Sequence, residues 1–338
     1  MINNTTHSRA ARRLAVAAGA AAVTAAAFAT GPAAAASSQS ARVVDDTLIV
    51  KGSRADDEIA LRLAAGNPGT LEVDFDDDGT PDGSFDRATF TAIKVLGYNG
   101  DDHIRIDQVN GAFADEAVTM YGGWGDDTME GGDGNEKYFG GKGDDFVDGN
   151  RGADTAWQGW GDDIFRWDPG DGSDVVNGQK GYDTLDFNGA DAAEVMSLSP
   201  NGPRSVFLRD LGNIRMDMSD VEKLDLTALG GPDNVTIKEM TGTGFKLAKV
   251  DLSATAGGPD AAADLVTVNG SPRGDNVDLE TERGYVVAEG LRPTTLIKGS
   301  ELLDRIQVNT QDGNDDVDVD GTVFALIDIG VDLGPGQR

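Results

Sequence analysis

Seven acidic residues recur at a near-constant interval through the middle of the chain: Asp127, Glu136, Asp145, Asp154, Asp163, Asp174 and Asp183. Each closes a short glycine-rich run, in order GGWGDD, GGDGNE, GGKGDD, GNRGAD, QGWGDD, PGDGSD and GQKGYD. Glycine at the first, second and fourth places lets the backbone take positive φ and curl its carbonyls toward one point. The residues that do this are Gly123, Gly125, Gly132, Gly134, Gly141, Gly143, Gly152, Gly161, Gly172 and Gly181. A carboxylate at place six adds a hard anionic oxygen beside those carbonyls. Such a donor set suits calcium, which takes about six to eight oxygens at roughly 2.3–2.6 Å.

Positioning these turns requires a matching element. After each acid, an apolar residue at place eight stands between two alternating neighbours: Met129, Tyr138, Val147, Ala156, Phe165, Val176 and Leu185. Turn plus three-residue strand makes half a coil, so two units close one rung of a parallel β-solenoid. Residues 18 apart then stack at roughly the 4.8 Å spacing of neighbouring strands. One column holds Asp127, Asp145, Asp163 and, past the two-residue insertion Trp167-Asp168, Asp183; the other holds Glu136, Asp154 and Asp174. Stacked carboxylates repel unless cations lie between them, and the gaps suggest on the order of five calcium ions with affinities of about 0.1–1 mM. The extra methylene of Glu136 and the small Ala156 are the weak points. A flexible linker could share this composition, but not the strict nine-residue register.

A longer unit of the same kind lies outside this block: Val50/Gly52/Asp57/Ile59/Leu61, Val95/Gly97/Asp102/Ile104/Ile106, Val268/Gly270/Asp275/Val277/Leu279 and Ile297/Gly299/Asp304/Ile306/Val308. Two more copies replace the glycine, Leu226/Ala228/Asp233/Val235/Ile237 and Val308/Thr310/Asp315/Val317/Val319. The pattern predicts strand, turn, strand, built either as further rungs or as antiparallel hairpins in a sandwich. Aspartates of these decayed turns are expected to cap backbone amides. Only Asp102, in Gly97-Tyr98-Asn99-Gly100-Asp101-Asp102, stays a metal candidate. Asp74 to Asp82 has the opening spacing of a calcium loop between strand-like flanks, which reads as a hairpin with an acidic tip. Helix is scarce: Ala190 to Val195 could make a turn or two, and Ala254 to Asp264 reads as loop. The expected organisation is a signal segment over 1–36, β-rich regions over 37–112 and 190–338, and the metal-binding block over 113–189.

The 338 residues carry 59 acids against 28 bases, a net charge of −31, which excludes nucleic acid and anionic membrane surfaces as natural partners and favours cations. Arg9, Arg12 and Arg13, an uncharged alanine-rich run and Ala34-Ala35-Ala36 have the form of an export signal, with no convincing membrane span. A secreted, extracellular protein is expected, exported unfolded and folding outside the cell. With no cysteine in the chain, bound metal would replace disulfides as the staple.

The GGxGxD nonapeptides, with Trp167-Asp168-Pro169-Gly170-Asp171-Gly172-Ser173-Asp174 and Leu185-Asp186-Phe187-Asn188-Gly189, resemble the RTX, or haemolysin-type, calcium-binding repeat. The resemblance implies a right-handed parallel β-roll filled with calcium, within an all-β chain. Departures at Glu136, Asn150, Gln158 and Pro169 predict some weaker turns. Relatives often carry a catalytic or pore-forming domain, but no H-E-x-x-H, G-x-S-x-G, P-loop or dinucleotide motif is present, and His103 is the sole histidine outside the export segment. The expected function is a non-enzymatic, secreted calcium-binding protein with a structural or adhesive role, with cell-surface or extracellular polysaccharide as a conceivable partner. The alternative is a calcium-dependent polysaccharide lyase or epimerase on a solenoid.

Overall fold

Alternation of apolar and polar residues sets the fold, because each short strand has one face to bury and the glycine turns end it after a few residues. The computed structural model describes residues 39–335, and the expected export segment over 1–36 lies outside them. Strands form two fourteen-stranded sheets with almost no helix. Through the centre, consecutive strands alternate between the sheets. Ala117–Trp124, Lys137–Lys142, Thr155–Trp160 and Val175–Lys180 lie in one; Thr128–Glu130, Phe146–Asp148, Ile164–Trp167 and Thr184–Asn188 lie in the other.

Pairing between successive strands of each central sheet is parallel. Lys137 faces Thr119 and Thr155, and Phe146 faces Thr128 and Ile164, an 18-residue offset each time. Beyond Trp167-Asp168 the offset becomes 20, with Thr155 opposite Val175 and Ile164 opposite Thr184. The place-eight side chains Met129, Tyr138, Val147, Ala156, Phe165, Val176 and Leu185 are all fully buried. They belong to one continuous apolar core between the sheets. The insertion adds to it: Trp167 is fully buried, stacks on Phe187 with ring centroids 4.1 Å apart, and donates its indole N–H to the Gly172 carbonyl at 2.8 Å.

The longer units cross from one sheet to the other and stack in parallel on one another. Val50 pairs with Val95 and Ile59 with Ile104, while Val268 pairs with Val308 and Val277 with Val317. The hairpin alternative for these copies is therefore not what forms. Antiparallel pairing also enters, in an N-terminal hairpin of Ser40–Val44 with Thr47–Lys51 and in three excursions: Glu58–Ala64 with Asn67–Asp74 and Gly83–Asp86, Val195–Asn201 with Arg204–Arg209 and Ile214–Ser219, and Asn276–Glu282 with Tyr285–Glu289 and Thr294–Lys298. Ala190 to Val195 forms no helical turn. Both sheets and the core run through 37–112, 113–189 and 190–338 without interruption among the described residues.

Truncating Trp167 to alanine removes a large side chain that has no way to be replaced by water. Trp167→Ala should lower unfolding stability by about 3–5 kcal/mol in urea titrations, whereas Trp124→Ala, at a site 59 % exposed, should stay within about 0.5 kcal/mol.

Candidate metal-binding turns

Each turn ends on an acid just before a strand, so the strand register stacks the acids as well. The result is a ladder in which a carboxylate oxygen accepts the backbone amide of the acid one rung earlier. Asp57 N–H donates to Asp102 Oδ1 at 2.9 Å, Asp102 to Asp127 at 2.9 Å, Asp127 to Asp145 at 2.9 Å, Asp145 to Asp163 at 2.8 Å and Asp163 to Asp183 at 3.0 Å. The second column repeats the rule, Glu136 to Asp154 at 2.7 Å and Asp154 to Asp174 at 2.9 Å. Both sequence-derived columns are therefore brought together, and Asp102 joins the first.

One oxygen each of Asp102, Asp127, Asp145, Asp154, Asp163, Asp174 and Asp183 is committed to this ladder, while Glu136, at the head of its column, accepts the Gly132 amide on Oε2 instead. The other is buried and without a hydrogen-bond partner in Asp102, Asp127, Asp145, Asp154, Asp163 and Asp183, as is Glu136 Oε1. Asp174 is the exception, since its second oxygen is not among those sealed off without a partner. Leaving an ionised oxygen buried and unpaired is strongly unfavourable. Burial, reinforced by neighbouring carboxylates, accordingly pushes these groups up: Asp102 and Asp145 to about 8, Asp127, Glu136, Asp174 and Asp183 to about 7, Asp154 to about 9 and Asp163 to about 6. A cation would satisfy the oxygens without protonation.

In most turns the backbone at place two sets whether that second oxygen is free, with Asp264 free beside an ordinary φ at Asp260 and Asp315 capped by the Thr310 hydroxyl beside a positive φ at Gln311. With ordinary φ, the amide there points at the carboxylate and caps it: Ser53 N–H bonds Asp57 Oδ2 at 2.5 Å, Ser271 bonds Asp275 at 2.8 Å, Ala190 bonds Glu194 at 2.8 Å and Gly132 bonds Glu136 Oε2 at 3.0 Å. With positive φ no such bond forms, as at Gly123 (131°), Gly141 (124°), Gly159 (123°), Asn150 (57°), Gln179 (75°) and Tyr98 (87°). Three of the six are not glycine: Asn150, which the sequence marks as a departure, Gln179 and Tyr98 do the same work. At Gly141 a Cβ would also strike the Gly123 carbonyl of the preceding rung, so the close approach of backbone to backbone excludes any side chain.

Glycine at the other places acts differently from expectation. Place-one glycines do not take positive φ; a Cβ on Gly122, Gly140 or Gly178 would collide with the second oxygen of Asp127, Asp145 or Asp183. At place four, Gly125, Gly143, Gly152, Gly161 and Gly181 have positive φ and bring carbonyls of successive rungs close together, but Gly172 does not have it. Nor do Gly132 and Gly134, because the turn ending at Glu136 abuts Ile106 and Ala114 instead of another glycine turn. Gln158, a departure at place one, is fully buried with neither amide atom partnered, which adds an oxygen donor to the Asp163 turn.

Outside the nonapeptides the turns divide in two. Asp57, Asp275 and Asp304 cap amides, as expected; the Glu301 N–H bonds Asp304 Oδ2 at 2.7 Å. Asp315 accepts from the Thr310 hydroxyl at 2.9 Å. Asp233 departs from the expectation. Its place-two residue Leu229 has φ 69°, its Oδ2 is buried and unpartnered, and burial pushes it up to about 8. Asp264, which sequence reading placed at the end of a loop, continues the ladder by accepting the Asp233 amide at 2.8 Å and shares the free oxygen. The same ladder begins at Glu194, whose amide donates to Asp233 at 2.9 Å and whose carboxylate pairs with the buried guanidinium of Arg209. There the protein supplies its own cation.

Among the described residues no three His, Asp or Glu side chains converge on one point, because the ladders supply one acid per rung. Backbone carbonyls would have to complete any site. The hairpin tip at Asp74 to Asp82 is already satisfied: Asp74 accepts from Arg62 at 2.8 Å and Gly79 at 2.9 Å, and Asp77 binds Arg105 at 2.6 Å. His103 sits between Glu130 and Glu58, 2.9 Å from the latter, and their carboxylates raise its pKa. No family model and no curated protein matches this chain.

Two outcomes follow from the free oxygens. Asp145→Asn should weaken the calcium response about tenfold or more in a titration followed by circular dichroism, whereas Asp304→Asn, whose second oxygen is capped, should leave its midpoint within about twofold. The folded carboxyls titrate at about 6 to about 9, above the unfolded value of about 4, so their contribution to metal-free stability is fully present below about pH 4 and lost as pH rises through the folded values. In chelator the melting temperature should therefore fall from pH 5 to pH 8. With calcium it should rise over the same interval, because the ligands must ionise to bind.

Proposed function

We propose that this chain is a non-catalytic, extracellular calcium-binding protein of the RTX type, whose nonapeptide region is a β-roll completed by Ca2+. The observation that carries the reading is the run of buried second carboxylate oxygens, each held by its turn with no protein partner. Asp102, Asp127, Asp145, Asp163 and Asp183 on one side, and Glu136, Asp154 and Asp174 on the other, would hold the ions together with carbonyls of the turn glycines. Calcium bound there supplies positive charge and several coordination positions to oxygens that water does not reach. Support also comes from Glu194, where an arginine fills the role at a turn that lacks the glycine pattern.

The chain's own residues do the rest. Place-two residues with positive φ turn their amides away and leave the oxygen available, place-one glycines make room for it, and the ladder amides fix the other oxygen. Millimolar calcium outside the cell matches affinities of the extracellular kind, and a net charge of −31 disfavours compaction until cations bind. Folding is thereby confined to the outside, where the roll serves a structural or adhesive role.

The test is a calcium titration of the chelated protein at pH 8 by circular dichroism. β-Sheet signal and melting temperature should rise cooperatively with millimolar calcium and be lost again in excess chelator, and magnesium, which demands smaller and more regular shells, should substitute poorly. A spectrum and melting curve indifferent to chelator would overturn the reading.

A further inference from the structure

Place three of the nonapeptide faces solvent, and on one side of the block its residues alternate. Strand register sets Trp124 beside Lys142, Lys142 beside Trp160 and Trp160 beside Lys180. The indoles are 59 % and 54 % exposed, and the ammonium groups lie over them, Lys142 at 4.0 Å from the Trp124 centroid and Lys180 at 4.0 Å from that of Trp160. On the same strands a second row, Tyr121, Phe139 and Trp157, stacks with 4.7 Å between successive rings, and Lys94 caps it at 4.5 Å from Tyr121. Between the rows stand Gly123, Gly141 and Gly159, from which no side chain rises.

The lysines of this face are set apart by their seat on aromatic rings. Lys94, Lys142 and Lys180 make no ion pair among the described residues, which Lys51, Lys137 and Lys238 share, but unlike those three they are held over aromatic rings, whereas Lys223, Lys246, Lys249 and Lys298 each pair with an acid. In a chain with twice as many acids as bases, unpaired cations held on exposed aromatic rings are a patch of the opposite charge. Trp124 and Trp160 are two strand spacings apart, about 9.6 Å, which matches the advance of an extended β-linked disaccharide.

We infer that this face binds a linear, β-linked acidic polysaccharide laid across the strands, with sugar rings against the exposed edges of the Trp124 and Trp160 indoles, whose faces the lysines cover, and carboxylate or sulfate groups at Lys142 and Lys180. A flat anionic membrane fits worse, because the exposed Asp126, Asp144 and Asp162, two residues beyond the row, would be pressed against it. A single polymer thread can follow the row and leave those acids in water. The surface is set by strand register and extends the calcium reading without depending on which ions fill the turns.

Binding of the whole chain to a β-linked polyuronate, a sulfated glycosaminoglycan, a neutral β-glucan and vesicles containing anionic lipid tests it, by affinity electrophoresis and fluorescence titration at two salt concentrations. One or both acidic glycans should bind, the polyuronate arm and the sulfate arm showing which anionic group is read. Trp124→Ala and Trp160→Ala should each weaken binding about tenfold or more, and Lys142→Gln should weaken it and flatten the salt dependence. Variants that bind like the parent, equal binding of the neutral glucan, or preference for the vesicles would each overturn the inference. Circular dichroism with and without calcium on the same samples reads the metal separately, so a chain whose fold ignores calcium but whose tryptophan variants lose glycan binding would sink the calcium reading alone.

Discussion

Everything in the central block depends on how one carboxylate oxygen is left over. Rung stacking commits one oxygen of each place-six aspartate in the block to the amide of the neighbouring rung, so the other must find a partner inside its own turn or go without. In the nonapeptide turns the sign of φ at place two settles whether that turn's amide caps it. Ser53, Ser271 and Ala190 cap the oxygen with their amides; Gly123, Gly141 and Gly159 turn away from it. The capped turns are closed, self-sufficient hydrogen-bonded loops. The uncapped ones bury charge that protein atoms do not neutralise, and their acids are pushed far above the ordinary carboxylate range.

The contrast within one chain is informative because both kinds of turn share the same ladder. Asp57 donates its amide along the first column as Asp127 does, accepts the Gln39 side chain and the Ser53 amide on its own oxygens, and begins the column whose later members are uncapped. Glu194 occupies the equivalent place in the third ladder and is met by Arg209, a fixed cation. Amide, guanidinium and unfilled oxygen are thus three answers to one electrostatic problem, and the third invites an exchangeable ion. An exchangeable ion would let folding be governed by the surrounding calcium concentration.

Much of this was legible in the residues. The nine-residue period equals half a rung, so register, inward side chains and both acid columns could be read directly, and the Trp167-Asp168 insertion showed itself as a change of offset from 18 to 20. The stacking of Val50 on Val95 and Ile59 on Ile104 followed from the identical spacings of the longer units, although not the choice between rungs and hairpins. Less was legible where conformation replaced composition. Leu229 and Tyr98 take positive φ without being glycine, so the Asp233 turn was misread as a capped one. Gln158 looked like damage and is a buried oxygen donor, while Gly132 and Gly134 fit the pattern but lack its geometry because their neighbour is a loop. Of the three antiparallel excursions only the hairpin around Asp74 to Asp82 was legible, from its strand-like flanks, and the other two interrupt the repeat with strands that pair locally.

The central claim is that unfilled carboxylate oxygens hold the nonapeptide turns open until calcium binds. Amide hydrogen exchange at pH 8 measures it most directly, segment by segment over residues 122–186. Protection of the ladder amides of Asp127, Asp145 and Asp163 should be lost in chelator and restored by millimolar calcium. Equal protection of those amides in both conditions would contradict the account.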